Sequence, residues 1–315
     1  MVRRFEIEVP APFRLDLCVW ALRRRAHNAV DVWDGTTYHR VLALPDGPVE
    51  LAVRQEQGGS GPLLAVELQG PGKSAPPASS TAEARRLLEV TLGLRVDISG
   101  FYALSEHDPR LAPLAQRFVG MRPPRFPSVF EALVNAVCCQ QLSLTVGIHL
   151  VSRLAHRYGA RAGGQDGLAA FPTPERLARA DPGELRSLGL SSAKARAITL
   201  LAQRVASGAV DLEGLVDVYD ETAQATLMAL PGIGRWSAEY TMLRGLGRLH
   251  VLPGDDVGAQ NNLRRRFGLA ASGYDELAEL SRTWWPYGGL VYFHLLIDSL
   301  ADQGALTLAH EEDVA

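Results

Sequence analysis

The chain has 315 residues, 47% of them hydrophobic and 21% charged, with a formal net charge of −3. That length implies two or three packed units rather than one small core, and the composition excludes a disordered chain. No apolar run reaches the ~18 residues of a membrane-spanning helix, and the opening Met1-Val2-Arg3-Arg4 runs into charge as no secretory signal does, so the expectation is a cytoplasmic protein without a membrane partner.

Residues 1–70 read as β. Val30 to Tyr38 places β-branched and aromatic residues around the Asp34-Gly35 turn signal, which predicts a hairpin. Leu51-Ala52-Val53 and Leu63 to Leu68 are two further short strands. Gly70 to Pro77 has the composition of a linker, so residues 1–80 form an N-terminal β-rich unit with its linker. From residue 81 the pattern is helical. Ser128-Val129-Phe130-Glu131 matches a capping box, and Phe130, Leu133, Val134 and Val137 follow at helical spacing. Thr173-Pro174 and Asp181-Pro182 each offer a cap followed by Pro at the first helical position. Further helices run over 192–206, 221–230, 235–244, 257–267, 275–284 and 289–301. They give a helical unit over 81–302, and 303–315 is a tail in which Glu311-Glu312-Asp313 is solvated.

The three cysteines, Cys18, Cys138 and Cys139, cannot all pair, and no C-x-x-C spacing supports zinc. An iron–sulfur cluster on four thiolates lacks its fourth ligand. They read as reduced, partly buried thiols, and no metal ligand set is found.

Leu230-Pro231-Gly232-Ile233-Gly234-Arg235-Trp236 lies between two predicted helices. No helix continues easily through Pro231, Gly232 and Gly234. Two glycines permit a tight reversal with positive φ and leave the backbone bare. The helix that follows begins with free N–H groups, which can hold a phosphate. Gly232, Ile233 and Gly234 are therefore the phosphate-binding candidates. The alternative is a plain turn in an α-hairpin. Phosphate binding through the backbone also reconciles a nucleic-acid partner with the negative charge, which otherwise speaks against one. Downstream, Leu252-Pro253-Gly254-Asp255-Asp256-Val257 is a loop entering a helix, where two carboxylates are ordinarily a cap and a dipole partner.

Taken in order, these pieces resemble the helix-hairpin-helix DNA glycosylase superfamily, whose motif is a Gly-Pro-rich loop followed by an Asp. Within it they resemble the 3-methyladenine DNA glycosylase II type. The resemblance covers roughly residues 90–300. It runs through Phe101-Tyr102-Ala103-Leu104, Asp108-Pro109, Arg122-Pro123-Pro124-Arg125, Phe130 to Val134 and Gln140-Gln141-Leu142-Ser143. It continues through the hairpin, Leu252 to Val257, Pro286-Tyr287 and His294. It implies an α+β fold: a mainly α-helical glycosylase core, its hairpin at about 221–246, with a small N-terminal antiparallel β domain.

The resemblance puts the catalytic carboxylate at Asp256, with Asp255 as a cap or loop residue and the fallback. Members that also cleave the backbone carry a Schiff-base lysine where this chain has Trp236, so a monofunctional enzyme that leaves an abasic site is implied. An Asp near the anomeric carbon would stabilise oxocarbenium character and orient water. Alkylated purines of the 3-methyladenine and 7-methylguanine kind leave readily and need little acid catalysis.

Trp236 and Tyr240 are four apart and share a helix face. With Tyr287 they are the implied base pocket, through stacking and cation–π terms of about 1–3 kcal/mol. The alternative for each is core packing. Gln141, with Gln140 beside it, takes the place of the family's wedge, which fills the stack left by a flipped base; the alternative is a polar helix end. No cofactor is required, though the hairpin carbonyls could take a structural monovalent or divalent cation. The implied partner is double-stranded DNA containing damaged bases, bound by a monomer.

Some residues depart from the pattern. Gly258 is a poor helix former with no account here. Gly288-Gly289 suggests an opened pocket wall. Arg264-Arg265-Arg266 faces either DNA or solvent. Two competing readings stand: a glycosylase for deaminated or oxidised bases, and a non-catalytic helix-hairpin-helix DNA-binding protein.

Overall fold

In the computed structural model, which describes residues 2–59, 61–163, 167–268 and 273–306, strand Arg3–Glu8 (β1) precedes a helix, Leu15–Arg23 (α1). Four more strands follow: Val32–Trp33 (β2), Thr37–Leu44 (β3), Gly47–Gln57 (β4) and Pro62–Gln69 (β5). They form one sheet in the order β1-β5-β4-β3-β2, antiparallel throughout. Val49, Leu51 and Val53 of β4 and Leu64, Val66 and Leu68 of β5 are buried at every second position, as expected for a sheet with one face on the core. The hairpin expected around Asp34-Gly35 is present. Trp33 lies opposite Tyr38, and Asp34 Oδ1 accepts from the Thr36 and Thr37 N–H groups.

Helix α1 corrects the all-β reading of residues 1–70. Its Leu15, Cys18, Val19 and Leu22 pack with the sheet, and its Leu17, Trp20 and Ala21 pack on the C-terminal helices. The helix is only nine residues long, and its N-cap, Arg14, makes no side-chain capping bond, so no start signal of the Ser, Thr, Asp or Asn kind marks it in the sequence.

The remaining helices are Ala78–Thr91 (α2), Ser99–His107 (α3), Ala112–Arg117 (α4), Val129–Cys139 (α5), Leu144–Tyr158 (α6), Pro174–Ala178 (α7), Pro182–Ser187 (α8) and Ser192–Ala206 (α9). Then come Asp220–Met228 (α10), Arg235–Arg244 (α11), Val257–Phe267 (α12), Tyr274–Thr283 (α13) and Gly288–Asp302 (α14). Residues 311–313, expected as a solvated tail, lie outside the described residues. Among those described, no helix is long and apolar enough to cross a membrane. One core joins α5, α6, α9, α10 and α11. Another joins α1 to α3, α4, α12, α13 and α14. A third packs the sheet against Ala132 and Ala136 of α5 and Tyr240 of α11.

Helix α5 shows how local and tertiary demands compete. Ser128 Oγ accepts from Glu131 N–H at 3.1 Å, the first half of a capping box. The second half is absent, because the Glu131 carboxylate faces Arg40 of β3, whose Nη2 donates to both its oxygens at 2.7 and 2.5 Å. Arg40 Nη1 donates to Asp31 at 2.5 Å, and Asp31 also accepts from Tyr38. All four side chains are buried. This group ties the sheet to the first helix of the hairpin-bearing bundle. Truncating Glu131 to Ala leaves Arg40 paired with Asp31 but strips Nη2 of both its acceptors, and an unsatisfied buried donor costs about 1–3 kcal/mol. The expected outcome is a lowered urea midpoint of that order; a change below about 1 kcal/mol, the scale of exposed pairs, contradicts it.

Candidate active site

The cleft is built from four pieces of chain. They are the α5–α6 turn, the α10–α11 hairpin, the α12 entry and α14. It has a volume of about 1010 Å³ and is lined by Gln140, Gln141, Gly232, Gly234, Trp236, Tyr240, Asp255 and Asp256 among others. Arg24, at the end of α1, and Tyr292, on α14, also line it.

Asp256 is the N-cap of α12. Its Oδ1 accepts from Ala259 N–H at 2.8 Å, satisfying one of the free donors of that helix. Its Oδ2 accepts from Trp236 Nε1 at 3.1 Å, and the Tyr292 hydroxyl stands at 3.4 Å. The carboxylate is thus aimed by a helix start on one side and an indole on the other. Asp255 is engaged elsewhere. Arg235 donates to both its oxygens at 2.7 and 2.9 Å, and the Arg235 guanidinium lies 3.5 Å from the centre of the Tyr274 ring. The Tyr274 hydroxyl donates to Glu239, which also accepts from Gly254 N–H. Burial pushes the Glu239 carboxyl up, against these two donors. This chain of contacts fixes the loop that delivers Asp256.

Gly258 acquires a reason. A Cβ there would stand 3.0 Å from Asp256 Oδ1, so the glycine gives the carboxylate its room. Val257, 67% exposed, lines the cleft mouth.

Trp236 and Tyr240 stack with ring centres 5.4 Å apart at 31°. Tyr240 is almost wholly buried and forms the floor. Its hydroxyl accepts from Arg24 Nη1 at 2.7 Å, while Arg24 Nη2 donates to Asn135. Arg24 holds the left-handed conformation, φ 59°, as it caps α1, a strain that surrounding structure must hold in place. Arg244 is fully buried against Tyr240, its Cζ 5.5 Å from the ring centre and its Nη2 donating to Ala21 O at 2.7 Å. Burial pushes the Tyr240 and Tyr292 phenols up, so both remain neutral hydrogen-bonding groups.

Tyr287 does not join the cleft. It packs on the Phe101 ring edge-to-face at 6.1 Å, with its hydroxyl over Gly100, where no Cβ would fit. The aromatic that reaches Asp256 is Tyr292, one and a half turns further on. In sequence it sits in the run Leu290-Val291-Tyr292-Phe293, where nothing separates it from core. Gly288-Gly289 does not open a pocket wall either. A Cβ at Gly289 would meet Leu243 Cδ1 at 2.3 Å and Val251 O at 2.8 Å, so this glycine allows close packing of α14. The α12 arginines turn toward α14 in part: Arg265 pairs with Asp298 and Asp302, and Arg266 approaches Asp298 at 4.0 Å.

At the hairpin, Gly232 has φ 79°, and a Cβ would strike Ala197 at 2.9 Å. Gly234 is different. It caps α11 in an extended conformation, φ −98°, with open space where a Cβ would go. Its role is exposure rather than positive φ. Ile233 is buried, and its N–H is spent on Leu230 O at 3.2 Å. It anchors the turn and is not a phosphate donor.

The two glutamines separate. Gln140 Nε2 donates to Gly232 O at 2.9 Å and to Ser237 Oγ at 2.7 Å, strapping the α5–α6 turn to the hairpin. Lys194 supports the turn from behind through the Cys138 and Gln140 carbonyls. Gln141 is exposed and left-handed, φ 55°, and Leu142 beside it is 43% exposed. The projecting residues of the turn are therefore Gln141 and Leu142.

This fold and site define a class. Residues 134–287 match the HhH-GPD superfamily of base excision DNA repair proteins, and the chain carries that superfamily's domain. Within the class it is 36% identical over 169 residues to DNA-3-methyladenine glycosylase 2 of Escherichia coli, covering 53% of this chain and 58% of that protein. It is 30% identical over 208 residues to the DNA-3-methyladenine glycosylase of Bacillus subtilis, covering 63% and 66%. The chain thus matches between half and two thirds of these relatives' lengths. The solved 3-methyladenine DNA-glycosylase of Archaeoglobus fulgidus superposes with a TM-score of 0.82 at 25% identity, over 96% of this chain and all of that one.

The Gly258 reading is testable. Gly258→Ala should gain up to about 1 kcal/mol of helix propensity while crowding Asp256 Oδ1. Thermal stability should hold or rise as the single-turnover rate of base release falls. A rate equal to wild type contradicts this account of the glycine.

Proposed function

We propose that the protein is a monofunctional DNA glycosylase that releases alkylated bases of the 3-methyladenine and 7-methylguanine type from duplex DNA in base excision repair. The observation that carries the reading is the Asp256 carboxylate, held by Ala259 N–H and Trp236 Nε1 inside a cleft large enough for a flipped nucleotide. The likeness to 3-methyladenine DNA glycosylases adds the substrate class.

In this reading the exposed hairpin at Gly232 and Gly234 grips a phosphate beside the lesion, and the Gln141-Leu142 turn fills the vacated stack. The base enters against Trp236 over the Tyr240 floor. As the N-glycosidic bond lengthens, positive charge grows on the deoxyribose, and Asp256 stabilises it and orients the attacking water. A carboxylate already oriented by fixed donors needs no reorganisation at that moment. Lyase chemistry would need an amine nucleophile. No lysine lines the cleft, and Lys194 Nζ is engaged by backbone carbonyls. The hairpin carbonyls could also take a structural monovalent or divalent cation in this reading: Leu230 O and Gly232 O accept from Ile233 N–H and Gln140 Nε2, and a carbonyl oxygen has a second lone pair.

One observation favours a wider range. Arg24 lines the cleft and Arg244 lies against the Tyr240 floor, and this positive charge suits a neutral base at least as well as a cationic one. Deaminated bases such as hypoxanthine are therefore included as secondary substrates.

The test is base release from duplex DNA treated with a methylating agent. Wild type should free methylpurines and give strand breaks only after alkali, and Asp256→Asn should lose at least ~100-fold in rate, the scale of removing a group that stabilises transition-state charge. Equal release by the variant contradicts the role of Asp256. Breaks before alkali contradict monofunctionality, and no release by wild type from methylated or deaminated DNA favours a non-catalytic DNA-binding protein.

A further inference from the structure

Beside the cleft lies a group of residues that none of the catalytic steps uses. The loop after α1 folds back on the first turns of α6. Arg25 Nε donates to Thr145 Oγ1 at 3.1 Å, and His27 Nε2 meets Thr145 O at 3.2 Å. The His27 imidazole lies flat on that of His149, ring centres 3.8 Å apart and 14° from parallel. Ser152 Oγ fastens the same loop, donating to His27 O and accepting from Ala29 N–H. His149 is exposed, and His27 and Arg25 are half-buried.

The charges nearest this stack are positive, and the carboxylate that acts on Arg23 and Arg24, Asp31, is itself held by Arg40 and Tyr38. Arg23, Arg24 and Arg25 come from the N-terminal segment. The segment 23–29 holds no carboxylate, nor does α6 from Leu144 to Tyr158, which adds Arg153 one turn beyond His149. Burial, followed by His149, Arg25 and Arg23, holds the His27 imidazole below its ordinary value, and only the Thr145 carbonyl pulls it up. The His27 imidazole, stacked on a second ring beside an arginine with no carboxylate on either segment, holds its proton more readily once an anion stands against it.

The position says which anion. Thr145 directly follows Leu144, and Arg25 directly follows Arg24; both of those neighbours line the cleft. The α5–α6 turn is fastened to the hairpin at one end, through Gln140 and Gly232, and to this loop at the other, through Thr145. A duplex entered by Gln141 and Leu142 through its narrow minor groove, about 6 Å wide, would offer one backbone to the hairpin and the other to the imidazoles. Resting on the glycosylase reading, we propose that His27, His149 and Arg25 form a proton-linked clamp for a phosphodiester of the undamaged strand.

The sign follows from linkage. A bound phosphate raises the His27 value in the complex, so the clamp's contribution is full below the free-protein value. It is lost as the pH rises through the raised one. The test measures affinity for a duplex carrying a tetrahydrofuran abasic site at pH 5.5 and 7.5. It compares wild type with the His27→Gln/His149→Gln variant, after matching their thermal stabilities. Wild type should bind about tenfold more tightly at pH 5.5, and its log–log salt dependence there should be steeper than the variant's by about 1. The variant should show neither effect. Methylphosphonates in the undamaged strand should remove the acid gain, and in the damaged strand should leave it. A variant that keeps the gain, or a gain that survives neutralisation of the undamaged strand, overturns the clamp. Base release by wild type from methylated DNA is scored separately. Release without the acid gain sinks the clamp alone, and the gain without release sinks the glycosylase reading alone.

Discussion

The Asp256 carboxylate sits where the start of one helix meets the side of another, and each of its oxygens is held by a different one. Helix α12 contributes Ala259 N–H, and α11 contributes the Trp236 indole. An N-cap is worth about 1 kcal/mol to its helix, so the group read as chemical also holds the fold locally. The coupling runs both ways. The hairpin that presents Gly234 is the start of α11, and within its first two turns α11 supplies Trp236 and Tyr240. In the proposed function, phosphate grip, base floor and carboxylate are therefore all set by the placement of one ten-residue helix.

That helix is held from the N-terminal segment. Arg24 reaches Tyr240, Arg244 reaches back to Ala21, and Arg40 locks the sheet to α5, which carries the turn facing the hairpin. Buried cations of this kind are costly unless every interaction is in place. The β-rich segment is thus part of the wall and support of the cleft: Arg24 lines it, and the third core runs from the strands to Tyr240 without interruption.

The parts that could be read from the sequence were those with unusual local backbone demands. Pro231 and Gly232 permit little but a turn, and Asp256 before a helical run is a capping signal wherever it occurs. Helices 192–206, 235–244 and 257–267 were found with both ends correct, because caps and glycines mark them. What the sequence concealed depends on distant partners. Helix α1 is short and begins at Arg14 without a capping side chain, so nothing local announces it. Glu131 was assigned to its own helix start, and Arg40, 91 residues away, claims it. Tyr287 and Tyr292 are equally aromatic, and only the rotation of α14 decides which reaches Asp256. Gln140 and Gln141 are adjacent and identical, yet one turns inward to the hairpin and the other outward in a left-handed conformation. Gly258 had no explanation until the carboxylate beside it was in place.

The central claim is that Asp256 works because it is aimed before the substrate arrives. Trp236→Phe keeps the ring and removes the one indole donor to Oδ2. Loss of a hydrogen bond to a charged group is worth about 1.5–3 kcal/mol, or about 10–150-fold in rate. The measurement is single-turnover release of 7-methylguanine by this variant, alongside its affinity for abasic-site DNA. The account predicts a rate lower by that factor with affinity unchanged. A variant that releases the base at the wild-type rate would contradict it.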